Sequence, residues 1–183
     1  MTQSVEPAVS RNVLEMLTVA NEFCLFTEGI EKYTKEDVIS YFQKLCPLLY
    51  IKGATLPFLQ PENPDANERF VTEENWEVIY KDIKEKLGKD DDFFMVDYND
   101  DDDYSNPVKV SIAEYLADIY QDMKDFVLLY QRNTKDAREN AAAECRLLFE
   151  RHWGYRCIEV HKIFHFLAYR DSKDNNLDIF PSI

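Results

Sequence analysis

Apolar residues recur along this chain at three- and four-residue steps, the period of one helix face. From about Val9 to Thr27 the stripe is Val13, Leu17, Ala20 and Cys24, widened by Leu14 and Phe23, with Gly29 as a stop. A second run opens at Thr34, with Asp37 three residues on in a capping-box pattern, and carries Val38, Phe42, Leu45 and Leu49. Pro47 lies inside it and predicts a kink or an end there. A third run starts at Thr72, carries Trp76, Ile79, Ile83 and Leu87, and stops at Gly88. Ser111 and Glu114 then cap a fourth run with Leu116, Ile119, Met123 and Phe126 on one face. A fifth starts after Thr134 and reaches His152 through Ala141, Cys145 and Leu148. Gly154 interrupts it, and Cys157, Val160, Phe164 and Leu167 continue beyond, as one kinked helix or as two.

No segment reads as an alternating strand, and no internal repeat of solenoid period occurs. The pattern predicts an all-α fold, an antiparallel helical bundle of five or six helices, as one domain over residues 1–183. A long acidic inter-helix loop at about 88–106 interrupts it and could hold a short extended piece at Phe93 to Val96. Between Asp90 and Tyr104 stand eight aspartates and no Lys or Arg, together with Phe93, Phe94, Met95 and Val96. The stretch is expected to be a surface excursion anchored by a buried Phe93 and Phe94. Its charge could fold onto Arg138, Arg146, Arg151 or Arg156, since guanidinium forks suit carboxylates.

Charge narrows the function classes. The formal net charge is −14, more than half of it from that one stretch. Such a field repels nucleic-acid phosphates and anionic lipid, so neither nucleic acid nor membrane is the expected partner; a basic protein is. The N-terminus lacks a secretory pattern and no apolar run reaches a membrane span. The cysteines (Cys24, Cys46, Cys145, Cys157) sit inside apolar helical patterns without a Cys-x-x-Cys, which points to reduced core residues and a cytoplasmic protein.

Three constellations could carry chemistry. Asp97, Asn99, Asp101 and Asp103 place hard oxygens at every second position, like the start of a calcium loop. Asp102 stands where a turn glycine belongs and Val108 where a closing Glu belongs, so a cation here would need a non-standard site. Asp118 and Asp122 share one helix face, as do His161 and His165; two such pairs across a bundle would hold a divalent metal. The simpler reading is that the histidines bond a neighbour and the aspartates face water. His152, Trp153 and Gly154 form the third, read as a structural turn in which His152 ties two helices together. No phosphate loop, dinucleotide fingerprint or nucleophile elbow occurs.

At His152-Trp153-Gly154-Tyr155-Arg156, with His161 following, the chain resembles an uncharacterised bacterial all-helical family, a domain of unknown function. The resemblance implies a helical fold and a bacterial cytosolic setting. It brings no activity, cofactor or catalytic residue. The function read from the sequence is therefore protein binding with no required cofactor; the alternatives are a metal-dependent role for Asp118, Asp122, His161 and His165, and a scaffold with a cation-binding acidic loop.

Overall fold

A computed structural model describes residues 6–96 and 107–174. A short 3-10 turn at Pro7–Val9 leads into α1 (Arg11–Glu28), followed by α2 (Lys35–Ala54) and α3 (Glu73–Leu87). Two strands, β1 (Asp92–Val96) and β2 (Pro107–Ser111), precede α4 (Ile112–Gln131), α5 (Lys135–Leu148) and α6 (Gly154–Asp174). The described residues are mostly helical, around one core.

The caps set the helix starts. Thr34 and Asp37 close a reciprocal capping box on α2, and Thr72 does so with Asn75 on α3. Ser111 accepts from the Glu114 amide and Thr134 from the Ala137 amide. Gly88 ends α3 with a φ of 58°, a left-handed value that favours glycine. Pro47 does not end α2. The helix continues to Ala54, so of the expected kink or end the end does not occur. The loss is one backbone donor, and the apolar stripe of Phe42, Cys46 and Leu49 stays buried through it.

α4 is the axis of the bundle. It packs against α1, α3 and α5, while α2 lies along α6. Its buried side carries Ile112, Leu116, Ile119, Met123 and Phe126. At the other seam Phe42 of α2 stacks on Phe164 of α6, ring centres 5.5 Å apart.

The acidic region departs from the expected loop. Its first part is β1, paired antiparallel with β2 so that Asp92 faces Ser111 and Met95 faces Val108. Strand alternation sends Phe93 inward, edge-on to Tyr115, and Phe94 outward at 68% exposure. Only one of the two predicted aromatic anchors is therefore buried. Three aspartates of the stretch have structural work. Asp90 pairs with Lys35 and Arg170, Asp92 with Lys109. Asp91 accepts from the Ala113 amide at 2.7 Å and from the Ser111 hydroxyl at 2.7 Å, fixing the start of α4. Asp97, Asn99, Asp101 and Asp103 lie outside the described residues.

Candidate functional site

The densest polar cluster runs along α4. Asp118, Asp122 and Asp125 occupy one helix side, a turn apart. Asp118 accepts from Trp76 Nε1 of α3 at 3.0 Å and pairs with Arg156 of α6, Nε to Oδ2 2.9 Å. Asp122 is almost fully enclosed and accepts from His152 Nδ1 at 2.6 Å. Arg69 lies 3.9 Å from its other oxygen and also holds Glu144 at 2.8 Å. Asp125 accepts from the Phe70 and Val71 amides at 2.7 and 2.9 Å, which closes the end of the long α2–α3 loop onto the bundle. Its second oxygen is buried without a protein partner among the described residues, and burial raises its pKa despite those two bonds.

His152 owes its place to a π-helical turn, Phe149–Trp153, that joins α5 to α6. The helical run is thus continuous, with one extra residue per turn at the junction. Gly154 is required there, since a Cβ would lie 2.2 Å from the Phe149 carbonyl oxygen. Trp153 is fully buried and donates from Nε1 to the Cys145 carbonyl at 3.2 Å. Gly53 of α2 makes room for its ring, which a Cβ would meet at 2.2 Å. The His-Trp-Gly turn therefore fixes three contacts at once: His152 to α4, Trp153 to α2, Gly154 to the preceding turn.

The pairing of Asp118 and Asp122 with His161 and His165 is corrected by this geometry. The partners are Arg156 and His152, the residues one turn or two earlier on the same helical run. His161 is partly buried, with Nδ1 unpartnered among the described residues, and His165 is exposed with its ring against Tyr169. Among the described residues no group of three or more His, Cys, Asp or Glu is arranged to hold a metal ion. Arg138 and Arg146 are also spent locally, on Asn133 and Glu150, and Arg156 on Asp118. All four thiols are buried without disulfides, and burial raises those of Cys24 and Cys145. A raised thiol is a poor nucleophile.

The polar row is closed to substrates. The hollow beside Asp122, Asp125 and Arg69 holds about 10 Å³, the space of one water molecule. Open concave surface lies elsewhere. A groove of about 610 Å³ opens where the end of α1 meets the first half of α2. Its lining includes Phe26, Tyr33, Tyr41, Leu45 and Leu48, with Asp37, Ser40 and Lys44 among its polar members. Phe26 is sandwiched between Tyr33 and Tyr41, with ring centres 4.5 and 3.5 Å away. Burial and the neighbouring Glu22 raise the Tyr41 hydroxyl pKa. The sequence periodicity did not single out Phe26, Tyr33 or Tyr41. The groove is open because, among the described residues, no element packs over α2 at that end, which no residue pattern records. A smaller hollow of about 290 Å³ lies between Phe58, Pro61 and Leu147.

Among the described residues no helix is long and apolar enough to cross a membrane. The profile of a family described as a domain of unknown function, DUF5063, matches residues 7–170. The crystal structure of protein BF1032 from Bacteroides fragilis, a structural-genomics target, is 31% identical. It superposes with a TM-score of 0.79 over 90% of this chain and 96% of its own. No curated protein matches.

Proposed function

We propose a protein-binding role for this chain, which belongs to the DUF5063 family of domains of unknown function. The partner is a protein of net positive charge, and it docks an apolar anchor in the α1–α2 groove. The observation that carries this reading is the groove itself. Its aromatic floor is rigid, because the stacked rings hold one another, and Leu48 stands 42% exposed at its edge. Preformed apolar hollows with a few polar rim groups are the usual form of a recognition site. The competing site, the α4 row, has its carboxylates committed to internal partners and encloses only one water's volume.

Charge sets the partner class. A net charge of −14 draws in basic surfaces and repels acidic ones over a distance near the Debye length, about 8 Å at physiological salt. Reduced buried cysteines favour a cytosolic setting. The role needs no cofactor.

The test is a photo-crosslinking side chain placed in living cells at Leu48, and separately at Val78, an exposed apolar position on α3 outside the groove. A discrete adduct with a basic protein from position 48, and none from 78, is the expected result. Equal labelling from both positions, or no adduct from 48, overturns the reading.

A further inference from the structure

The helix α6 is apolar on two faces. One faces the core through Cys157, Val160 and Phe164. At 100° per residue, Tyr155, Ile158, Lys162, Phe166 and Tyr169 fall within about 80° of one another on the opposite side. There Tyr155 is 45% exposed, Ile158 47%, Phe166 55% and Tyr169 47%. Side chains of this class present about 200 Å² each, so the stripe shows on the order of 400 Å² of apolar surface. That matches the largest patch on a typical monomer, a size that usually marks an interaction site.

We infer that this face pairs with the same face of a second copy of the chain, antiparallel, about a two-fold axis passing between residues 160 and 161. The residue order makes the stretch from Tyr155 to Phe166 reciprocal in that register. Tyr155 meets the partner's Phe166, and Phe166 meets the partner's Tyr155. Glu159, beside the stripe, meets the partner's Lys162, and Lys162 meets the partner's Glu159. An isologous contact requires this reciprocity, each residue serving on both sides. A register centred on Lys162 would instead set two ammonium groups against each other. The described charged groups on and beside the stripe (Arg151, Glu159, Lys162) are balanced toward positive, although the chain is strongly acidic. A standard interface takes about 800 Å² from each partner. Here the stripe supplies about half and the flanking polar residues the rest, which makes this a small interface of the weak or transient class. The face is separate from the α1–α2 groove, so the two readings stand or fall apart.

Sedimentation velocity on the full chain, from low to high micromolar concentration, reads the association directly. The expected result is a concentration-dependent dimer that Phe166→Asp removes. Glu159→Lys and Lys162→Glu, each alone, weaken it by about tenfold, the effect of setting like charges face to face. The double exchange E159K/K162E restores it. A chain monomeric at every concentration, a dimer untouched by Phe166→Asp, or a double exchange no tighter than the single variants overturns the proposal. So does loss of the dimer in Leu48→Asp, which would move the contact to the groove.

Discussion

On α4 the faces that could meet solvent are closed by other parts of the chain. Asp118, Asp122 and Asp125 are matched to Arg156, His152 and the Phe70 and Val71 amides. On α6, and on the groove side of α2, apolar groups that could have been covered are left open: Phe166, Tyr169 and Leu48. Polar groups turned inward and apolar groups turned outward both run against the usual partition. The first is the cost of joining four helices at one seam. The second has no internal account among the described residues. The contrast assigns α4 to stability, and the recognition proposed for this chain falls on the outer faces of α2 and α6.

The largest effect expected is on the seam beside α4. Trp153→Ala removes a fully buried ring that fills the space above Gly53 and should cost about 3–5 kcal/mol in urea unfolding. A loss below about 1 kcal/mol would mean that the turn holds nothing.

The β arm gives the same contrast within two neighbouring residues. Phe93→Ala should cost about 3 kcal/mol, since its ring is buried on Tyr115. Phe94→Ala should stay within about 0.5 kcal/mol, since its ring faces solvent. Equal losses would contradict the strand alternation.

Asp122→Ala strips His152 and Arg69 of their shared carboxylate and should cost about 2 kcal/mol, the scale of a hydrogen bond to a charged group. Asn at position 122 keeps an acceptor and should lose less. If both variants melt with the parent, α4's row is not structural.

The fourth effect is read from acid unfolding. Arg170 and Lys35 lower Asp90 from 3.8 to about 2. A depressed folded value means that the stabilisation is complete above pH 3.8 and fades as the pH falls toward 2. Screening at the part-exposed Arg170 limits it to about 1 kcal/mol. Asp90→Asn should flatten the stability profile in that window and nowhere above it. Asp125 runs the other way: burial raises its pKa, so its ionisation costs stability as the pH rises through the folded value.

The helices were legible in the residues because a one-sided apolar stripe and a cap are local signals. Thr34, Thr72, Ser111 and Thr134 each open the helix that their spacing announces. The β arm was not. Asp92–Val96 is five residues, and acidic neighbours mask an alternation that only its pairing with Pro107–Ser111 makes visible. The α4 row was half legible. Asp118 and Asp122 share a face by spacing alone, but which helix meets them depends on helix rotation. The π turn resets that rotation at Phe149–Trp153, bringing His152 and Arg156 to the row rather than His161 and His165. The groove was illegible, because exposure is set by what fails to pack over a surface.

If the outer faces of α2 and α6 serve partners, as proposed, they contribute nothing to the fold. Thermal unfolding of the double variant L48D/F166D, at a concentration low enough to keep the copies apart, tests it most directly. Both side chains already stand about half in water, and a surface change away from structural contacts stays within about 0.5 kcal/mol. A midpoint within about 3 °C of the parent is expected. A fall of about 8 °C or more would show that these residues hold the bundle together, and the division between α4 and the outer faces would fail with it.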